Sequence, residues 1–447
     1  MQPYNQDNIV ALATPPGKGA LAVIRFSGKN LFSLYKSFTH KTPKNRYALY
    51  SKVYHPYSGF LLDEALVTYF KSPNSFTGED MIEISCHGGI NVRGSIVKAA
   101  VESGARLAEP GEFSLRSFLN GKMDLLQAEA ISSLINSKSS LSLEISLEHL
   151  SGKISGVIKS LKKDAINLLS IIENELNFSE EEIVPIKTSK IISDICNIKD
   201  SVDSLLKSSI IGKNIFSGIR VIIYGKPNSG KSTLFNAILG HDRAITSSIP
   251  GTTRDSLESW FELEGVPVCL VDTAGIWNAK NELDSLSIKQ TLYELKRADI
   301  CILLDEIDPC LLLDDVFNQT YKQHCIMVRS KSDLLSSSSN NSADYLLVSS
   351  IKNLGVDELL TMLSTRIVES CSYESDVGVL ITGRQRGLLK DSVECLQLAH
   401  DQLKSSVGMD IVASTMRGFS LILMEIVGEI PDKDIIENIF KNFCIGK

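Results

Sequence analysis

With 447 residues, 43% of them apolar and 22% charged, the chain is long enough for about three domains with cores of their own, and its composition excludes a disordered majority. No apolar run approaches the ~18 residues of a membrane span, and a net charge of −7 with a pI near 5.6 excludes a surface that tracks phosphate backbones as a whole. The opening MQPYNQDNIV has neither the basic patch nor the apolar stretch of a secretory signal, and the nine cysteines show no Cys-x-x-Cys spacing, so a cytoplasmic protein with reduced thiols is expected.

In chain order, residues 1–119 alternate short β-like runs with Gly/Pro punctuation. The runs are Ile9 to Ala13, Leu21 to Phe26, Ala65 to Tyr69 and Met81 to Ser85, and the punctuation falls at Pro15, Pro16, Gly17, Gly19, Gly88 and Gly89. That pattern predicts a small α+β domain. From about residue 123 the period lengthens: Leu147, Leu150, Ile154, Val157, Leu161, Ala165, Leu168, Ile172 and Leu176 place one apolar stripe on a long helix. Ile191, Ile195, Ile198, Val202 and Leu205 repeat it, so residues 120–212 read as a helical domain's first part. After an intervening α/β segment, 213–375, the helical period returns over 376–447, with Leu388, Leu389, Val393, Leu396 and Leu403, a run from Phe419 to Val427, and Ile435, Ile436, Ile439 and Phe440. Apolar stripes need partners, and the economical arrangement packs the last helices on those of 120–212, with 213–375 inserted as a separate domain.

The middle segment carries the chemistry. Arg220 to Tyr224 is an apolar β run, followed by Gly225-Lys226-Pro227-Asn228-Ser229-Gly230-Lys231-Ser232 and a helical stretch from Thr233 to Leu239. This is G-x-x-x-x-G-K-[ST] in its strand, loop, helix setting. Glycines let backbone amides curl around phosphates, Lys231 brings a point charge to them, and the Ser232 hydroxyl suits magnesium. Gly251-Thr252-Thr253-Arg254-Asp255 offers a second magnesium position at Thr253, within a loop Ser247-Ser248-Ile249-Pro250 onward that fits a switch. The β run Val266 to Val271 delivers Asp272-Thr273-Ala274-Gly275, where Asp272 suits a water-mediated magnesium contact and the Gly275 amide a γ-phosphate. Between them Leu257 to Leu263 alternates, and Glu264-Gly265 turns it into the next strand, predicting one antiparallel edge on an otherwise parallel sheet.

After the run Cys325 to Val328, Ser330-Lys331-Ser332-Asp333 resembles the Asn-Lys-x-Asp of GTPases, whose aspartate accepts hydrogen bonds from guanine N1 and its exocyclic amine. Ser330 stands where Asn is usual, which shortens or removes a hydrogen bond worth ~1 kcal/mol. Ser349, Ser350 and Ile351 fit the loop that closes over the base. Ile276 stands where many small GTPases have a water-orienting Gln, and no clear arginine finger is present, so the acids downstream, Glu282 and Asp284, are candidates for placing water.

At this point the chain resembles the MnmE (TrmE) family of tRNA-modification GTPases, over essentially its whole length. Ala13-Thr14-Pro15-Pro16-Gly17 with Ile24-Arg25, Pro73-Asn74-Ser75-Phe76-Thr77-Gly78-Glu79-Asp80 with His87-Gly88-Gly89, Glu109 to Ser114, Phe118 to Ala130, and the terminal Cys444-Ile445-Gly446-Lys447 carry the resemblance. It implies a Ras-like P-loop GTPase domain inserted into a helical-bundle domain and preceded by an α+β folate-binding domain. It also implies a homodimer through the N-terminal domains, and a heterotetramer with a flavin enzyme, MnmG or GidA. That complex would install a carboxymethylaminomethyl group on C5 of the tRNA wobble uridine. A 5-formyltetrahydrofolate-type carrier would meet Arg25, Glu83, Lys122 and Lys447. Potassium would replace the missing finger, held by Asn228 with carbonyls at Ser247, Ile249 and the Thr252 region. The family's water-positioning acid falls at Asp284, where the family has Glu, and Trp277 stands where Arg is expected. Cys444 either lines the folate pocket or carries a reactive thiol. The competing class is a regulatory GTPase that binds ribosomes or RNA and modifies nothing; folate binding separates the two.

Overall fold

The computed structural model describes residues 7–177, 188–241, 257–272, 294–312, 324–334, 345–371, 378–379, 382–405, 407–430, 433–441, 443 and 446. Packing divides the chain into two compact units, Met1–Ser132 with His149–Ile192 and Leu398–Lys447, and Ser133–Glu148 with Ser193–Gln397.

The first unit begins with a sheet built from β1 (Ile9–Leu12), β2 (Leu21–Gly28), β3 (Leu49–Tyr54), β4 (Leu61–Phe70), β5 (Asp80–His87) and β6 (Arg106–Leu107), in the order β3-β4-β5-β2-β1-β6. Pairing is antiparallel except between β1 and β6. Alternation decides the faces: Ala22, Ile24 and Phe26 of β2 lie with Val53, Val67, Ile82 and Ile84 in one core. Two helices, α1 (Leu31–Thr39) and α2 (Ile90–Glu102), cover that core with Leu31, Tyr35, Phe38, Ile96 and Ala100. The opposite face carries Arg25 and Glu83, which the β2/β5 register sets side by side. Strand β3 is absent from the apolar runs read in the sequence, because only Ser51 and Val53 turn inward while Tyr50 and Lys52 face solvent.

Behind this sheet, α3 (Glu112–Leu119) brings a guanidinium into the interior. Arg116, 2% exposed, donates to Glu79 Oε2 at 3.0 Å, to Glu112 Oε1 at 2.9 Å and to Asp7 Oδ1 at 2.8 Å. Arg106 closes the network from β6 through Glu112 at 2.7 Å and Asp7 at 2.8 Å. Burial pushes the Glu112 carboxyl up, but hydrogen bonds from Arg106, the Glu109 amide and Arg116 outweigh it and leave the group below its ordinary range.

The stripe expected on one long helix is divided. α4 (Leu125–Ile135) is followed by α5 (Ser140–Leu150) and α6 (Lys153–Asn177), with a break at Gly152, whose φ of 87° ends α5. The break resets the phase: Leu143 and Leu147 are exposed, whereas Ile154, Ile158, Leu161, Ala165, Leu168 and Ile172 of α6 are buried. The later helices are α7 (Thr188–Ser217), α8 (Lys231–His241), α9 (Val356–Cys371), α10 (Gly383–Lys404), α11 (Met409–Val427) and α12 (Lys433–Lys441). As the apolar stripes require, α11 packs on α6, with Arg417 bonded to Glu173, and Ile436, Phe440 and Phe443 join Leu125, Ala128 and Ile131 in one core. Lys199 of α7 donates to Gln397 of α10 at 2.7 Å.

The second unit holds a sheet of β7 (Ile219–Gly225), β8 (Leu257–Leu263), β9 (Val266–Asp272), β10 (Ile300–Asp305), β11 (Cys325–Arg329) and β12 (Leu346–Leu347), ordered β12-β11-β10-β7-β9-β8. All pairs are parallel except β8/β9. The hairpin is closed by Glu264 (φ 51°) and Gly265 (φ 76°), two successive left-handed residues that match the twist of the strands. Lys138 and residues of α5 join this unit. Lys138 Nζ lies 3.6 Å from the Trp260 ring centroid, Ser140 Oγ donates to Glu262 at 2.5 Å, the Leu141 amide donates to Gly265 O at 3.3 Å, and Ile145 enters the sheet's core. Among the described residues no helix is long and apolar enough to cross a membrane.

Removing one partner of a buried ion network strands the others. Arg116→Met should therefore lower the unfolding free energy by about 3–5 kcal/mol, measured by urea denaturation; a loss below ~1 kcal/mol would mean that the network behaves as a surface one.

Candidate functional site

At the C-terminal edge of the parallel sheet, the central strand β7 runs into the loop from Gly225 to Gly230, and α8 starts at Lys231. The turn admits no side chain at 225: a Cβ there would lie 2.1 Å from Leu304 O and 2.9 Å from Ser229 Oγ. Asn228 (φ 65°) and Gly230 (φ 93°) are left-handed, which curves the loop into a concave row of backbone amides suited to an anion. Lys231 is 4% exposed and its ammonium donates to Gly225 O at 2.9 Å and Lys226 O at 2.7 Å. Burial lowers its pKa, and the nearby Asp272 opposes that shift. Ser229 is buried and its hydroxyl has no hydrogen-bond partner among the described residues, whereas Ser232 and Thr233 present theirs to solvent on the first turn of α8. The donor set is that of a phosphate cradle with a hydroxyl ready for a hard cation. Asp272, fully buried at the end of β9, pairs in register with Ile223 and so stands beside the cradle.

Two strands away, the loop after β11 holds the second half of the site. The Ser330 amide donates to Asp305 O at 2.9 Å, Lys331 is left-handed at φ 55°, and Ser332 to Leu334 form one 3-10 turn. Ser349 Oγ donates to Asp333 Oδ1 at 2.6 Å and holds that carboxyl below its ordinary range. The Ser349 amide and carbonyl pair with Leu354, which closes the loop carrying the half-buried Ser350 and the exposed Ile351. Lys226, Asp305 and Glu306 also belong to this edge and were not singled out in the sequence. The available signal was an acidic pair after a buried strand, Ile300 to Leu304, in the position that Asp272 takes after β9.

The first unit holds a second constellation. Arg25 is bonded to Glu83 at 2.8 Å, its guanidinium lies 5.7 Å and 5.8 Å from the ring centroids of Phe76 and Phe113, and it donates to Gly446 O at 3.3 Å. Lys122 Nζ donates to Pro73 O at 3.0 Å, on the loop that carries Phe76. Phe76, Phe113 and Gly446 were not marked as site residues, because nothing local in the sequence brings them to Arg25.

Two family models between them span most of the chain. The GTP-binding protein TrmE N-terminus matches residues 8–122, and the MnmE helical domain matches residues 125–444. A tRNA modification GTPase MnmE of Aquifex aeolicus (strain VF5) is 36% identical over 450 residues, covering 99% of this chain and 100% of its own. One from Fervidobacterium nodosum is 36% identical over 460 residues, covering 99% and 98%, and one from Francisella tularensis subsp. tularensis is 34% identical over 456 residues, covering 99% and 100%. The chain belongs to the MnmE/TrmE family.

In this MnmE/TrmE chain the structure brings Asn228, Ser229, Gly230, Lys231, Ser232, Thr233 and Asp272 to one sheet edge, with Ser330, Lys331 and Asp333 along it. Ser247 to Thr253, Thr273 to Gly275, Asp284 and Lys447 lie outside the described residues, as do Glu282, Trp277 and Cys444.

The Ser349 hydrogen bond favours the ionised form of Asp333, so Ser349→Ala should return that pKa upward. If that carboxylate accepts from a guanine base, the acid-side loss of binding should set in at a higher pH than in the unaltered chain. Titrating guanosine diphosphate affinity against pH reads the midpoint directly, and an unmoved midpoint would contradict this assignment.

Proposed function

We propose that this chain is a GTPase acting in tRNA modification, and that its turnover serves the addition of a carboxymethylaminomethyl group to C5 of the wobble uridine together with a flavin partner of the MnmG/GidA kind. The observation that carries the reading is the pairing, on one sheet edge, of an anion cradle with the Asp333 carboxylate held by Ser349. An anionic phosphate chain suits the cradle, and a carboxylate acceptor suits the N1 and amine donors of guanine, which adenine lacks. On binding, Lys231 would exchange the carbonyls of Gly225 and Lys226 for phosphate oxygens, recovering charge-assisted hydrogen bonds for a cation now held by neutral groups. Ser232 and Thr253 would hold magnesium, which would supply charge neutralisation to the phosphates. The exposed Ser232 hydroxyl and the positive φ at Asn228 are compatible with magnesium and potassium beside the cradle.

We read the architecture as three parts, an N-terminal α+β domain to 119, a helical domain from 120–212 and 376–447, and a GTPase domain of 213–375 inserted between them. Arg25, Glu83 and Lys122, with Lys447, would hold a 5-formyltetrahydrofolate-type carrier. The aromatic rings of Phe76 and Phe113 at Arg25 suit a flat heterocycle, and Arg25 suits its carboxylate tail. Asp284 would position water, a homodimer would present potassium between GTPase domains, and the complex would work in the cytoplasm as a heterotetramer.

Three measurements test the reading. The purified chain should turn over GTP and leave ATP untouched, and Asp333→Asn should weaken GTP binding roughly 100-fold through the loss of charged hydrogen bonds. Incubated with tRNA, the flavin partner, GTP and the folate, the chain should yield modified uridine; active GTPase without modified uridine would leave a GTP switch and remove the modification role.

A further inference from the structure

Strand β10 ends in two consecutive carboxylates that serve different loops. Asp305, with its side chain 7% exposed, faces Lys226 Nζ of the phosphate loop at 3.5 Å. Its Oδ1 accepts the amides of Ile307 at 2.8 Å and Asp308 at 3.1 Å, and its carbonyl accepts the Ser330 amide at 2.9 Å. Glu306 turns the other way and pairs with Lys331 of the base loop. The Ser330 hydroxyl reaches Asp305 O at 3.4 Å, so that short side chain ties its loop to β10. Lys331 sits at φ 55°, a backbone state that a non-glycine residue keeps when its surroundings hold it, and the Glu306 pair supplies that hold.

A nucleotide binds this edge at two ends, phosphates in the cradle and base at Asp333. The second anchor adds full affinity only if its distance from the first is fixed before binding, because otherwise ligand energy is spent on ordering the loops. We propose that Asp305 and Glu306 are positioning residues for guanine recognition: together they brace the base loop against the phosphate loop, Asp305 through Lys226 and the Ser330 amide, Glu306 through Lys331. The proposal rests on the reading of this edge as a GTP site. Neither carboxylate touches the nucleotide in this role; each sets the span across which both ends are gripped.

The test uses the full chain and a fluorescent guanosine diphosphate with magnesium, with magnesium pyrophosphate as a competitor that lacks the base. Asp305→Asn keeps an Oδ1 acceptor for Ile307 and Asp308, and Lys226 is exposed enough that Lys226→Met does not threaten the fold. Asp305→Asn, Glu306→Gln and Lys226→Met should each weaken the diphosphate roughly fivefold, chiefly by faster release. Pyrophosphate binding to Glu306→Gln should stay within about twofold of the unaltered chain, since a ligand with one anchor gains nothing from a fixed span. Ser330→Asn, whose longer amide reaches past Asp305 O, should restore part of the loss in Asp305→Asn, giving a non-additive double-mutant cycle. Unchanged diphosphate affinity in Asp305→Asn and Lys226→Met, or equal losses of pyrophosphate and diphosphate in Glu306→Gln, would overturn the brace and leave the GTP site standing. No guanine nucleotide binding by the unaltered chain would overturn both.

Discussion

A buried ammonium held by backbone carbonyls organises the middle of this protein. Lys231 is held by the carbonyls of Gly225 and Lys226, and desolvation works against its charge. Such a cation is tolerable in a folded chain when the site is meant for an anion. Around it the backbone must stay thin: the close approach of Leu304 O forbids a side chain at Gly225, and left-handed residues at 228 and 230 turn the amides inward. The order of the parallel strands then follows from need, since β7 must be central for both Asp272 on one side and Asp305 on the other to stand at its end.

The first unit solves the opposite problem. There, the buried Arg116 and Glu112 are joined by Asp7, Glu79 and the more exposed Arg106, and the fold supplies each with partners. Glu79 belongs to the loop that also presents Phe76, and Glu112 and Arg116 lie on the helix that presents Phe113. The ion network thus anchors both rings that sit over Arg25, and its satisfaction is what gives that surface a fixed shape.

How much of this could be read beforehand followed from contiguity. Eight successive residues spell the phosphate loop, four spell the base loop, and the Glu264-Gly265 turn announced its antiparallel edge, because in each case the chemistry and the backbone demand fall on neighbours in the chain. Strand β3 escaped notice because half its residues are polar and its pairing with β4 is what makes it a strand. The division of the long helix escaped because apolar spacing continues across Gly152 while the buried phase does not. Asp305 and Glu306 look like an ordinary acidic strand end, and only the meeting with Lys226 and Lys331 distinguishes them.

The stretch from Lys138 into α5 has a consequence for what counts as a self-sufficient piece of this molecule. Its lysine caps the Trp260 indole, its serine and leucine tie down the β8/β9 turn, and Ile145 fills a slot in the sheet's core, although all four precede that sheet by a hundred residues or so along the chain. A fragment cut out by sequence continuity from 213 to 375 would carry the phosphate loop, yet it would leave a wet indole on β8 and an empty apolar socket in the sheet's core. Autonomy here belongs to a set of contacts that contiguous excision does not preserve.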